Sequence, residues 1–403
     1  MNLKINRFRL LTIIFIFILY AYSLDYWGVN FPLSIASLFV IILFAWTFSK
    51  NKLSISNKTY LSIVLLFLIC IINSLIRGFS VATLQEYLNM FYVPVFYYLF
   101  TNILNNEKYI KRFDKILEIS FFINFVFFLL QQFVLGYAHQ DNLCGMFGTV
   151  MGNDGFSNIF LCFYSCMILS RYIEKKVSIS YVSTVLIISL YQAAISELKI
   201  YFIELVLIII MLVVFTKPSI RKTKMVLGGC ILLFCAYQGI QTLYPHFSGF
   251  LSAASIWENI TNDSGYTMVG DINRFNGFGI LIPILQSNKA SVIFGVGIGN
   301  AIGNSAFYLN YSYLHYQWFA YAYIFVQTGL VGFVLYVLFY LNICTKNIKC
   351  VFTKQDIKGD VIASTICSVI AIVLLFYNLK NLTIMGGMLI AYYMSISEIK
   401  LRE

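Results

Sequence analysis

The sequence predicts an all-α polytopic membrane protein, one transmembrane domain over residues 1–403 with about twelve helices crossing the bilayer. Three observations predict it. Hydrophobic residues make up 60% of the chain and charged residues only 11%, where a soluble domain carries about a quarter charged; mean hydropathy is +0.81. About a dozen apolar runs approach the roughly 20 residues that a helical crossing needs. All but five of the 28 Lys and Arg residues lie in the connections on one side of those runs. Cytoplasmic loops accumulate Lys and Arg, so both termini are expected in the cytoplasm. The five minority cations, Arg77, Lys199, Arg274, Lys289 and Lys380, are expected on the outer face.

The first run, 9–26, follows Lys4, Arg7 and Arg9. That opening resembles a signal peptide, but no small-residue cleavage site precedes Asp25 and further spans follow, so it reads as the first crossing. Runs 31–48, 60–76, 87–104 and 116–136 come next, with Lys50, Lys52 and Lys58 and then Lys108, Lys111, Arg112 and Lys115 on the basic side. Runs 156–172, 180–196, 200–216 and 225–243 follow, joined on that side by Arg171, Lys175 and Lys176 and by Lys217, Arg221, Lys222 and Lys224. The last three runs are 323–343, 361–378 and 382–397, with Lys346, Lys349, Lys354 and Lys358 between the first two. Lys400 and Arg402 close the chain on the basic side. No internal repeat is evident, which speaks against an inverted-repeat transporter.

Most outer connections are short. The exception, residues 244–322 between the ninth and tenth runs, is a large external loop rich in apolar and aromatic residues. An amphipathic stretch is predicted over Phe247 to Ile260, and an apolar piece from Phe278 to Leu285 is too short to span. Long loops with their own patterning are usually functional.

The net charge of +11 sits in short inter-span loops, which is a topogenic pattern suited to anionic membrane lipid and not a nucleic-acid patch. Nine cysteines lie mostly within spans, and only Cys144 falls in an outer loop. That excludes an outer-face disulfide, and no CxxC pair suggests zinc. Cys162 and Cys166, four apart on one helix, read as packing.

The residues able to do chemistry concentrate on the outer side. His139, His246 and His315 are the three histidines, and Arg274 stands near Asp271 in Gly270-Asp-Ile-Asn-Arg-Phe275. His315 lies eight residues before Tyr323, roughly 12 Å of helix at about 1.5 Å per residue, which places its imidazole at headgroup depth. An aromatic belt at the interface accounts for the tyrosines and Trp318 around it equally well. Arginine suits phosphate because its planar fork binds oxygens in pairs and keeps its proton. Arg77 and Lys199 fit the same task, or simply snorkel to the interface. Glu204 is an intramembrane carboxylate, a functional candidate by default, with a buried amide as an alternative partner. Glu197, seven residues earlier, is expected on the same helix face.

Two glycine motifs read as structural. Gly295-Val-Gly297-Ile-Gly299 lacks the sixth-position glycine and the βαβ setting of a dinucleotide site; it reads as a turn that lets backbone approach closely. Gly329-Leu-Val-Gly332 reads as a helix-packing site. Asn153-Asp154-Gly155 reads as a turn before the sixth run, and Asp25 as a lone acid with no partner for a metal.

With these residues placed, the chain resembles the O-antigen and capsular polysaccharide polymerase (Wzy-type) and O-antigen ligase superfamily. The resemblance covers most of the chain by topology and short stretches by motif. Ser196 and Lys199 stand where the family has a Ser-Arg or Ser-Lys pair at the start of a span. Arg274 stands for its early-loop Arg, 295–299 for its Gly-x-Gly-x-Gly, and His315 with Gly329 and Gly332 for its His and following glycine pair. The basic residue here is three beyond Ser196, and Tyr316, not Asn, follows His315. These departures fit the divergent polymerases better than the ligases.

The resemblance implies a GT-C-like fold in the bacterial cytoplasmic (inner) membrane. It implies a glycosyltransferase without metal or other cofactor, acting on undecaprenyl-pyrophosphate-linked oligosaccharide to make lipopolysaccharide O-antigen or capsule. His315 would be the catalytic base. Arg274, Lys199 and Arg77 would hold pyrophosphate, and Glu197, Glu204 and Asp271 would support them. A chain-length regulator and a flippase are the implied partners, with no nucleic acid. A glycan ligase of O-antigen or teichuronic type and a lipid-linked oligosaccharide flippase are the alternatives. A flippase would carry cations inside its spans and no long structured outer loop.

Overall fold

A computed structural model describes residues 6–29, 33–50, 57–79, 81–137, 142–150, 152–243, 254, 272–353 and 359–402. Among them there are helices and turns but no strand. The helices are α1 (Arg7–Tyr20), α2 (Leu33–Lys50), α3 (Asn57–Arg77), α4 (Val81–Ile103), α5 (Glu107–Leu129), α6 (Asp154–Ile173), α7 (Ile179–Ile195), α8 (Lys199–Phe215) and α9 (Ile220–Leu243). Three short helices follow: α10 (Gly277–Leu285), α11 (Lys289–Phe294) and α12 (Ala306–Tyr311). The last three are α13 (Ala320–Thr353), α14 (Gly359–Leu375) and α15 (Ile384–Arg402).

Each expected run lies on one of these helices. Among the described residues, six segments are long and apolar enough to cross a membrane: Arg7–Trp27, Leu33–Lys50, Thr59–Arg77, Glu107–Val134, Asp154–Ile173 and Ala320–Thr353. Two more, Ile179–Ile195 and Gly359–Leu375, are apolar but shorter. The chain is thus an all-α, multi-pass membrane protein. Of the expected outer loop, the apolar piece is α10; the amphipathic stretch, His139, His246 and Asp271 lie outside the described residues.

Local chemistry sets the helix starts. Asn106 accepts from Lys108 N at 2.8 Å and Ser178 from Tyr181 N at 3.2 Å, each satisfying a donor that the first turn leaves without an internal partner. Glu107 adds a negative charge to the first turn of α5, where the helix dipole favours it.

The core centres on α15, which packs against α4, α14, α6 and α1. At Gly387 a Cβ would lie 2.9 Å from Tyr92 Cβ, so glycine is what lets α15 and α4 come together. At the end carrying most Lys and Arg, here called the basic end, buried charges tie the helices. Arg171 on α6 binds Asp114 on α5 at 2.5 Å and Asp360 on α14 at 2.9 Å. Tyr392 on α15 donates to Asp114 at 2.8 Å, and Lys400 pairs with Glu107 at 2.9 Å. Lys346 on α13 pairs with Glu398 on α15.

At the opposite end α13 is broken. Gly329 has φ +68° and ψ −170° inside the helix, which frees the carbonyls one turn before it. Val296 N donates to Val326 O at 2.8 Å and Gly297 N to Gln327 O at 3.1 Å. The Gly-x-Gly-x-Gly stretch is therefore docked into the break. A Cβ on Gly295 would overlap the Gln327 carbonyl, and one on Gly329 the Ile293 carbonyl. Gln327 reaches back, accepting from Gly299 N at 3.1 Å and donating to buried Glu86 on α4 at 3.1 Å. Gly332 packs helices as expected, with α3 Leu66 against it, whereas Gly329 makes the break.

Candidate functional site

Arg274 is presented by a short, cross-braced segment. Asn273 Oδ1 accepts from the backbone of Phe275 and Asn276, both at 2.8 Å, and Asn276 Oδ1 accepts from Asn273 N at 2.6 Å. Such side chain–backbone bonds hold a turn without a helix. Ile272 N donates to Leu314 O at 3.1 Å, and Tyr321 donates to Asn273 O. The segment is thereby pinned to the start of α13. Above this base the Arg274 guanidinium lies 4.8 Å from the Tyr377 ring centroid and 5.8 Å from that of Phe319. Tyr377 follows α14, so Arg274 bridges its own loop segment and the turn between α14 and α15.

That turn carries a second cation. Lys380 Nζ donates to Asn153 Oδ1 at 2.9 Å and lies 5.1 Å from the Phe156 ring centroid. Burial pushes its ammonium below the usual lysine range, against the opposing pull of Asp154. Asn378 and Lys380 press on Gly155, where a Cβ would overlap the Asn378 amide. The Asn153-Asp154-Gly155 turn is thus the start of α6 and abuts the Lys380 turn. Asp154 acts electrostatically on Tyr377 as well as on Lys380. Arg274 thus contacts Tyr377, and Lys380 lies three residues further along the same turn.

A polar ladder runs inward along α6 from this point. Asn158, one turn below Asp154, donates to Glu204 Oε2 on α8 at 3.0 Å. Glu204 is 1% exposed. The buried-amide partner expected for Glu204 is Asn158, and Cys162 lies in the core.

His315 sits beside this group. Its backbone is left-handed at φ 53°, and its ring stacks on Trp318 with centroids 4.0 Å apart. The helical spacing assumed between His315 and Tyr323 does not hold: the main helix begins at Ala320, after a short 3-10 turn over Tyr316–Trp318. Because Leu314 is bonded to Ile272, and Phe319 underlies Arg274, the His315 and Arg274 segments run side by side.

The other candidates divide. Arg77 donates from Nε to Asn73 Oδ1 at 3.1 Å and from a terminal nitrogen to Ser291 Oγ at 3.0 Å. Its side chain also packs on Gly297, so it is engaged in holding the glycine stretch to α3. Lys199 opens α8 as expected. Glu197 does not share the Glu204 helix face: it precedes α8 with a left-handed backbone, φ 53°, in the turn from α7. Ser196 Oγ donates to Leu143 O at 2.7 Å, tying that turn to the 142–148 loop.

No family model matches the chain, and no curated protein matches it. The site therefore has to be read from its own chemistry. That chemistry is a clamped guanidinium, a half-buried ammonium and an imidazole at one end of a membrane bundle. Lys380 is one of the five minority cations, and no sequence motif around it assigns it a role. The available signal was its place three residues after Tyr377 in the last outer turn.

Proposed function

We propose that this chain is a polymerase of lipid-linked polysaccharide repeat units in the bacterial cytoplasmic membrane, with about twelve crossings and both termini cytoplasmic. Arg274 over Tyr377, with Lys380 three residues further along the same turn and His315 on the segment bonded to that of Arg274, is the observation that carries the reading. The growing glycan on undecaprenyl pyrophosphate is the donor, and a sugar hydroxyl of the next lipid-linked repeat is the acceptor.

In the transfer, the acceptor oxygen forms a bond to the anomeric carbon while the bond from that carbon to pyrophosphate breaks. Negative charge grows on the departing pyrophosphate, and fixed cations at low dielectric stabilise it most. Arg274 and Lys380 have this role, with Lys199 as a further cation at the head of α8. The acceptor proton passes to His315, whose imidazole type is suited to act as base near neutral pH. Glu204 supports the site from below through Asn158.

The buried ion pairs joining α5, α6, α14 and α15 at the basic end favour a site worked from the opposite side over a cavity that opens alternately to both.

The test is the surface glycan of a strain lacking the gene, run on a gel beside its lipid-linked intermediates. Loss of the ladder with single repeats still surface-exposed supports the polymerase. Full-length polymer stranded on the carrier identifies a ligase. Single repeats trapped on the inner leaflet identify a flippase and overturn the reading.

A further inference from the structure

We propose that the groove between α1 and α5 at the basic end is a binding site for an anionic phospholipid. It is a hollow of about 470 Å³ between the two helices, and the proposal does not depend on the enzymatic reading.

Charge and depth are arranged for one kind of ligand. Arg9 on α1 and Arg112 and Lys115 on α5 stand at its rim. Residues three, four or seven apart share a helix face. On α1 that face carries Arg9 and then Thr12 and Ile13; on α5 it carries Arg112 and Lys115 and then Ile116 and Ile119. Each helix therefore puts its cations at the mouth and its apolar side chains about one turn, or roughly 5 Å, deeper. Ile13 is 61% exposed and Ile119 48%, so the apolar walls are open to acyl chains. Thr12 does not interrupt them, because its hydroxyl donates to Phe8 O at 2.8 Å.

The cations themselves are unlike their neighbours. At this end Lys111, Lys176, Lys400 and Arg171 each pair with a carboxylate. Among the described residues, neither Arg9 nor Arg112 makes an ion pair. Arg112 lies 5.7 Å from the Phe8 ring centroid, which holds its planar fork in place. Lys115 shares its charge with Glu118 at 3.0 Å. A second hollow adjoins on the same side, sharing Arg112 and Lys115 and adding Lys108 and Lys111, with Glu107 the one acid. Two arginine forks match a phosphodiester, and basic pockets between helices on this side of a membrane suit anionic headgroups. A soluble anion would have no use for the isoleucine walls.

The test is native mass spectrometry of the purified, delipidated full chain titrated with phosphatidylglycerol and, separately, with phosphatidylcholine. The wild type is expected to retain phosphatidylglycerol preferentially. The triple variant Arg9→Gln, Arg112→Gln, Lys115→Gln is expected to lose about tenfold or more in that retention. A control triple, Lys50→Gln, Lys175→Gln, Lys349→Gln, removes the same charge from the same end outside the groove and is expected to keep the preference. Ile116→Trp with Ile119→Trp fills the groove with every cation intact and is expected to weaken retention too. Equal losses in the two charge triples would reduce the effect to general electrostatics and overturn the site, as would unchanged retention in the groove triple.

Discussion

The Arg274 guanidinium lies over the ring of Tyr377, 4.8 Å from its centroid. One residue comes from the segment before α10 and the other from the turn after α14. A planar cation on a planar ring has few orientations, so this contact aims the charge and ties the segment before α10 to the turn after α14. A cation over an aromatic ring contributes about 0.5–2 kcal/mol depending on burial.

Arg274→Ala is therefore expected to abolish polymer while the protein stays inserted at its normal level. Arg274→Lys is expected to lose most activity as well, because an ammonium cannot stack on Tyr377 or offer a fork. Glycan gels with immunoblots of membrane fractions check both; wild-type polymer length in Arg274→Lys would rule out a geometric role.

Lys380 should show itself on the alkaline side. Its folded-state pKa is lowered, chiefly by burial, so it surrenders its proton below the ordinary lysine value. If the ammonium serves the reaction, transfer by purified protein should decline with rising pH before a free lysine titrates. Lys380→Arg should move that decline to higher pH, and Lys380→Met should be slow throughout. For stability the sign is opposite: the cost of burying the charge is full below the folded pKa. It is relieved as pH rises from there to the unfolded value, so folding gains over that window.

Glu204 and Asn158 make a buried polar pair. Glu204→Gln keeps the volume and an acceptor for Asn158, and is expected to leave thermal stability close to wild type. Glu204→Ala strands the Asn158 amide and opens a cavity, an expected loss of about 2–3 kcal/mol. Thermal unfolding in detergent separates the two, and equal losses would contradict the pairing.

At the basic end, Arg171→Ala leaves Asp114 and Asp360 facing each other without their shared cation. Removing one partner of a buried pair typically costs about 3–5 kcal/mol. Adding Asp360→Asn should recover part of that loss in the same melting experiment, and no recovery would mean that Arg171 acts through packing alone.

Gly329→Ala tests the break in α13. A Cβ there meets the Ile293 carbonyl, and the backbone is left-handed; strain of this kind costs about 1–3 kcal/mol before any steric overlap is counted. The expected result is poor accumulation or a lowered melting temperature, whereas Gly279→Ala, with open space around its Cβ position, should be near neutral.

The helices were legible because hydropathy and charge are summed over many residues, so single exceptions scarcely matter. The site was legible only in pieces. Arg274 and His315 stood out as rare residue types in the outer loop. Lys380 did not, since its significance depends on contact with Asn153 across more than two hundred residues. The partners of Arg77 were hidden for a similar reason: nothing local discloses that Ser291 and Asn73 bind it. Glu197 shows the limit of periodicity, because one left-handed residue ends the helix face on which its partnership with Glu204 was expected.

The break at Gly329 has a mechanical consequence. The stretch 320–328 grips the glycine segment by backbone bonds, while 330–353 continues as an ordinary rod. The described loop residues from 272 onward are thus fastened at several points, to 320–328 by backbone bonds, to α3 through Arg77 and Asn73, and to the turn after α14 through Arg274.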